Sequence, residues 1–252
     1  MAEPLLRVEG ISKRFGGLRA LDDASFAAQT GSITALIGPN GAGKTTLFAI
    51  ITGFLAPSDG RILYDGKDIT GTPPYRLARL GIARTFQIVQ PFAGLTVREN
   101  VAVGAHLSRP ERADALAAAD DIARAVGLGG MLDRPATALT VAGRKRLELA
   151  RALAIGPKLL LLDEVLAGLN PSEIRDMVPI VLAIRDRGVT IVMIEHVMQA
   201  VMSLAEHVFV LSEGRIIAQG SPQAIAGDPR VVEAYLGYGA SARTMAAGSA
   251  HG

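Results

Sequence analysis

The nine residues "GPNGAGKTT" (38–46) constrain the fold of this chain more than any other stretch. They match the spacing G-x-x-x-x-G-K-[ST], with Gly38, Gly43, Lys44 and Thr45 in register. The apolar run "SITALIG" (32–38) leads in at strand length, and "KTTLFAIITGF" leads out as a helix. A strand that turns through glycines straight into a helix predicts an α/β core.

The rest of the chain supplies what such a core needs. "LLRVEGISKRF" alternates apolar and polar residues as an edge-type strand does, and "SDGRILYDGKDIT" carries turn signals on both sides of "RILY", as a hairpin does. Together they predict a small antiparallel β lobe. From about Leu95 the pattern becomes helical: "TVRENVAVGAH", the Ala-rich "PERADALAAADDIARAVGL" stopping at Gly127 and Gly129, and "GRKRLELARALAI" with Leu147, Leu149, Ala150 and Leu153 on one face. A helical lobe is expected over about 95–150. Strands return with "KLLLLD", "VTIVMIE" and the hairpin "HVFVLSEGRIIAQG". The strands at 158–163 and 189–195, with a helix across 172–187 between them, predict a parallel βαβ unit. A folded domain over 5–237 is expected, with a flexible C-terminal tail at 238–252, where "GASARTMAAGSAHG" is small and polar.

Composition narrows the classes of partner. The chain has 252 residues, 49% hydrophobic and 20% charged, enough for one large α/β domain with a lobe. Lys plus Arg number 26 against 24 for Asp plus Glu, so no basic field argues for nucleic acid. The absence of cysteine excludes disulfides and thiolate metal sites and fits a reducing cytoplasm. "VTIVMI" and "LLLL" fall well short of the ~20 apolar residues that cross a bilayer, and "MAEPLLRVEG" lacks a signal-peptide core. A mean hydropathy of +0.31 leaves room for an apolar partner surface.

The chemistry follows from residue types. In the loop Gly38, Pro39, Asn40, Gly41, Ala42, Gly43, Lys44, Thr45 and Thr46, glycines let backbone N–H groups wrap phosphate oxygens, and the helix N-terminus adds positive potential. Lys44 is placed to reach the β- and γ-phosphates of a nucleotide, and the Thr45 hydroxyl to coordinate Mg²⁺. "LLLLDEVLAGLN" (159–170) ends an apolar run on two adjacent acids, an arrangement that repulsion and desolvation disfavour. A cation and a water make it tolerable: Asp163 would contact the magnesium through water, and Glu164 would act as the general base on the attacking water.

"GPNGAGKTT", "RTFQ", a signature-position segment, "LLLLDE" and "IEH" occur in an order and spacing that resemble the ATP-binding cassette ATPases, over about residues 5–237. Within that family "LGIARTFQ", "LTVREN", "AGLNP" and "AYLG" look like the ATPase subunits of branched-chain amino-acid importers. The resemblance implies a P-loop NTPase core with a small antiparallel β lobe and a helical signature subdomain. It also implies a head-to-tail dimer with a second cassette subunit, holding two ATP molecules and driving membrane permease subunits. A periplasmic or extracellular solute-binding protein would take part indirectly. The chain would then be cytoplasmic and peripheral on the inner face of the membrane. By the same resemblance Phe15 stacks on adenine (its other reading is an ordinary core phenylalanine), Gln87 contacts Mg²⁺ and the catalytic water, His196 bonds the γ-phosphate, and Asn170 lines the dimer seam. His106 and His207 read as surface or packing residues.

One segment departs from the family. "LTVAG" (139–143) stands where Leu-Ser-Gly-Gly-Gln is typical, in a register fixed by "LELARAL". Thr140 keeps the hydroxyl for the partner's γ-phosphate, while Val141 and Ala142 replace glycines that permit close approach and unusual φ. Gly143 replaces the glutamine, near the expected helix start, so Thr140, Ala142 and Gly143 would face the partner's nucleotide. Hydrolysis is expected to survive; a catalytically weak half-site in a heterodimer is the alternative. A soluble cassette acting on DNA or ribosomes is a further reading, against which stand one phosphate loop and no heptads. No N-K-x-D segment supports a GTPase. The apolar "QIVQPFAGLT" (87–96) reads either as core packing or as a groove for a permease helix.

Overall fold

The computed structural model describes residues 3–86 and 90–236. β1 (Leu6–Phe15) turns at Gly16 and Gly17 into β2 (Leu18–Ala28), and β3 (Ile33–Ile37) runs through the glycine loop into α1 (Lys44–Ile51). β4 (Asp59–Tyr64) and β5 (Lys67–Asp68) form the expected hairpin, turning at Asp65 and Gly66 with φ of 50° and 72°. Positive φ at both turn positions matches the twist of the flanking strands. These strands make an antiparallel sheet of order β2-β1-β4-β5. β1 is thus interior, not the edge strand its alternation predicted. The polar positions report one solvated face of the sheet rather than an unpaired rim.

α2 (Pro74–Arg79) and β6 (Ile82–Arg84) follow, and neither was expected from the pattern. The helical lobe is then built by α3 (Val97–Ala105), α4 (Arg112–Ala125) and α5 (Val141–Leu153), which pack on one another. Thr96 and Glu99 form a reciprocal capping box at the start of α3. Ala115, Ala119 and Ala123 give α4 a stripe of small, fully buried side chains. Gly104 of α3 lets that helix meet α5: a Cβ there would lie 2.7 Å from the Arg151 carbonyl oxygen.

The chain returns through β7 (Leu159–Asp163), α6 (Pro171–Asp186), β8 (Thr190–Ile194), α7 (Met198–Leu204), β9 (His207–Ser212), β10 (Arg215–Gly220), α8 (Pro222–Ala226) and α9 (Pro229–Leu236). The core sheet has the order β10-β9-β3-β8-β7-β6, parallel except for the β10 edge. Every residue of β3, β7 and β8 is buried, because both sheet faces are covered. Leu36, Leu161, Val192 and Ile194 face α1 and the antiparallel lobe, while Ile37, Leu160, Leu162 and Met193 face the other helices. Each such side chain contributes about 1.5–3 kcal/mol by leaving water. The expected tail at 238–252 lies outside the described residues. No helix among them is long and apolar enough to cross a membrane.

Candidate nucleotide site

Adjacent parallel strands place their C-terminal ends side by side, and here the order β3-β8-β7 brings three sequence signals to one edge. The glycine loop leaves β3, Glu195 and His196 leave β8, and Asp163 and Glu164 end β7.

The loop requires its glycines. Gly38, Gly41 and Gly43 have φ of 151°, 80° and 105°. A Cβ at Gly38 would fall 1.9 Å from the Leu211 carbonyl oxygen, and one at Gly43 would fall 2.5 Å from that of Ala20. The backbone is pressed against β9 and β2, with no space left for a side chain. α1 starts without a side-chain cap and without an acid in its first turn, so its N-terminal dipole is not countered within the helix. Such an end, behind a glycine loop, suits a phosphate. Asn40, Gly41 and Thr45 are exposed, while Gly38 and Ala42 are buried and Pro39, Gly43 and Thr46 lie between.

Lys44 is 6% exposed and folds back over the loop, its Nζ donating to the carbonyls of Gly38 (2.7 Å) and Pro39 (2.9 Å). Burial pulls its ammonium below the usual lysine value, against the nearby charges of Glu164 and Asp163.

Glu164 has φ 50°, a left-handed conformation rare for a residue with a side chain. Its N–H continues the ladder to the Ile194 carbonyl (3.0 Å), so the kink comes one residue after the strand. The side chain thereby leaves the strand alternation, and Oε1 meets His196 Nε2 at 2.5 Å. The two residues named from sequence are one contact pair.

Asp163, 2% exposed, is held from an unforeseen direction: Arg84 Nη2 donates to its Oδ2 at 2.6 Å. Its own N–H donates to Thr85 Oγ1 at 3.0 Å. Thr45, Arg84 and Asp163 share a cavity of about 460 Å³ that also touches Glu148 and Arg151.

Two further groups stand behind the acids. Lys145, reaching in from α5, donates from Nζ to the Glu164 carbonyl (2.9 Å). Glu195 is fully buried, its Oε1 accepting the Leu166 N–H at 2.9 Å, and its Oε2 has no hydrogen-bond partner among the described residues. Burial pushes its carboxyl up to about 7. Glu195 was legible as an acid ending an unbroken apolar run; Arg84 and Lys145 carried no such signal.

Phe15 is 48% exposed at the end of β1 with the Lys13 ammonium over its ring, which removes the core-residue reading and leaves a face free to stack. His106 and His207 are exposed, the latter against Phe209. Asn170 caps α6, its Oδ1 accepting from the N–H groups of Ser172 and Glu173. Gln87 lies outside the described residues, as do Ile88 and Val89.

The signature segment corrects an expectation. α5 begins at Val141, two residues before Gly143, with Thr140 as its N-cap accepting from the Gly143 N–H (3.2 Å). Residues 141–143 therefore have helical backbone and none has positive φ. Glycine's conformational freedom is not used there, so Val141 and Ala142 replace it without backbone strain.

A glycine cradle before an uncapped helix, with an acid–histidine pair on neighbouring strands, defines a phosphate-loop α/β nucleotide-binding protein. Two family profiles match: one described as ABC transporter over residues 21–167, the other as branched-chain amino acid ATP-binding cassette transporter over 215–241. The chain is 38% identical over 254 residues to the high-affinity branched-chain amino acid transport ATP-binding protein BraF of Pseudomonas aeruginosa, spanning 94% of this chain and 99% of BraF. It is 38% identical over 253 residues to the LivG protein of Escherichia coli, with the same coverage. The solved ADP conformation of an ATP-binding cassette of an ABC transporter is similar at TM-score 0.86 and 36% identity, over 94% of this chain and 100% of that one. The chain belongs to the ABC transporter ATP-binding family, whose cassettes are ATPases coupled to transport.

Proposed function

We propose that this ATPase powers an importer of branched-chain amino acids or a related small organic solute. The similarity to BraF and LivG along nearly their whole length supports the solute class. The observation that carries the catalytic reading is the Glu164–His196 pair beside the phosphate loop. Glu164 takes the proton of the attacking water, and His196, bonded to it, orients the carboxylate and reaches the γ-phosphate. Lys44 leaves its loop carbonyls for the β- and γ-phosphates, and Phe15 stacks on the adenine. Thr45, Asp163 and Gln87 would hold Mg²⁺, which neutralises developing phosphate charge when bound. The oxygen donors of Thr45 and Asp163 suit that hard cation.

The second ATP contact comes from another cassette: Thr140 at the N-terminus of its α5, with Ala142 and Gly143. The helical backbone at 141–143 favours a competent signature over the weak half-site reading. The exposure of Phe92 supports a permease docking site around it, with the chain then peripheral on the inner membrane face. The test is copurification with its permease, followed by ATP hydrolysis in lipid nanodiscs with the partner solute-binding protein. Hydrolysis stimulated by leucine, isoleucine or valine is the expected result. Stimulation by none of them, with another solute active, would reject the solute class and keep the ATPase.

A further inference from the structure

Arg84 sits in a place where a cation matters. Its guanidinium holds the Asp163 carboxylate at 2.6 Å, and the side chains are 9% and 3% exposed. The other anchors are weak: Nη1 reaches Thr52 Oγ1 only at 3.4 Å, and Phe48 and Phe86 lie 5.9 and 5.3 Å from the guanidinium carbon. Nε is buried with no hydrogen-bond partner among the described residues. Arg84 is therefore fastened chiefly by the carboxylate, and it opens onto the same cavity as Thr45 and Asp163.

We propose that Arg84 is the resident counter-ion of Asp163, and that it makes magnesium binding at this edge conditional on nucleotide. The inference rests on the nucleotide-site reading above. A carboxylate already neutralised by a buried guanidinium attracts a divalent cation weakly, and the cation meets an added positive charge nearby. Among the described residues no three His, Asp or Glu side chains group into a metal site. Among the described residues the empty site thus offers one hydroxyl and one shared carboxylate. Phosphate oxygens supply the remaining negative charge, and Arg84 then yields Oδ2 or shares it. The consequence is a positioning and charge role: with the cradle empty, Asp163 stays paired and in place, and free Mg²⁺ does not occupy the site ahead of ATP.

Isothermal titration of the full chain tests this in two stages, with ADP added in EDTA and Mg²⁺ then added to the ADP-saturated protein. Arg84→Gln removes the charge but keeps an N–H donor for Asp163; Arg84→Lys keeps the charge. Arg84→Gln is expected to tighten Mg²⁺ binding about tenfold and to create measurable Mg²⁺ binding without nucleotide. Arg84→Lys is expected to stay within about twofold of the parent, because the charge and not the fork sets the affinity. Weakened or unchanged Mg²⁺ affinity in Arg84→Gln overturns the proposal. Should that variant lose its cooperative melt, Arg84→Lys decides: severalfold weaker Mg²⁺ binding means Arg84 acts by geometry alone and overturns it. Failure of the parent to bind ADP in EDTA is a separate outcome, one that defeats the site reading itself.

Discussion

Glu164 and Glu195 are carboxyl groups a few residues apart in space that do opposite things, and their surroundings explain why. Glu164 is turned out by its left-handed backbone onto His196, whereas Glu195 points back into the protein and accepts the Leu166 N–H. Glu164→Gln keeps the shape and removes the proton acceptor. Turnover should fall about 10²- to 10⁴-fold with ATP binding retained, and single-turnover hydrolysis checks it. Near-native turnover would reassign the base. Glu195 gives a pH prediction. Burial raises it to about 7, helped by the charge of Glu164 and opposed by the Leu166 N–H and by Lys145. The folded state therefore binds a proton that the unfolded state, near the ordinary value of 4.5, releases. This contribution is full below about pH 4.5 and is lost as pH rises to about 7, on the order of a few kcal/mol in all. Urea melts of the parent and Glu195→Gln should show the variant gaining relative stability across that window. A pH-independent difference would mean that Glu195 is ionised throughout.

At the scale of elements, α5 does two jobs, presenting Thr140 at one end and pinning the Glu164 carbonyl through Lys145 further along. Ala142→Gly should lower stability by about 0.5–1 kcal/mol, the usual cost of glycine in a helix, without raising ATP turnover by orders of magnitude. Steady-state rates with the assembled permease check this; a hundredfold rise would show the native signature to be crippled. The backbone explains why the sequence misled here. "LTVAG" invites a comparison of side chains, but Thr140 caps the helix and sets its start, which a hydroxyl followed by two non-glycine residues already permits. Elsewhere legibility followed burial. β3, β7 and β8 are covered on both faces and read as unbroken apolar runs. β2 was missed because Asp22 and Asp23 interrupt "LRALDDASFAA", and Asp23, at φ 58°, sits where the register with β1 shifts. β6 is three residues long, too short for any period, which is why Arg84 was met only as part of "RTFQ". A salt bridge across neighbouring parallel strands has no local sequence signature.

For the whole molecule, the question is how an event at the phosphate edge reaches the helical lobe. Thr85 belongs to the core sheet, donating its N–H to Leu161 and accepting from Asp163. One residue later the chain changes allegiance. The Phe86 N–H goes to Glu148 of α5 (3.3 Å), and the Gln90 carbonyl accepts from Arg151 (3.1 Å), which also pairs with Glu148 (2.9 Å) and covers the Phe92 ring. Asn100 of α3, fully buried, takes the Phe92 N–H and donates to the carbonyls of Phe92, Leu95 and Thr96. Thr85 is thus fastened to the acids, and Gln90 and the exposed Phe92 to the helical lobe. Burial raises the Glu148 carboxyl, and Arg151 works against that rise, so the clamp is a charged pair kept in a poorly solvated place. A double substitution, Arg151→Met with Glu148→Gln, removes both charges together and leaves no unpaired ion. It should leave ATP hydrolysis by the isolated chain close to the parent's, since neither group belongs to the reacting set. Stimulation by the permease in nanodiscs should fall severalfold, because Phe92 would no longer move with α5. Equal loss of basal and stimulated rates would place the pair in the chemistry; full stimulation would mean that Asn100 alone carries the coupling.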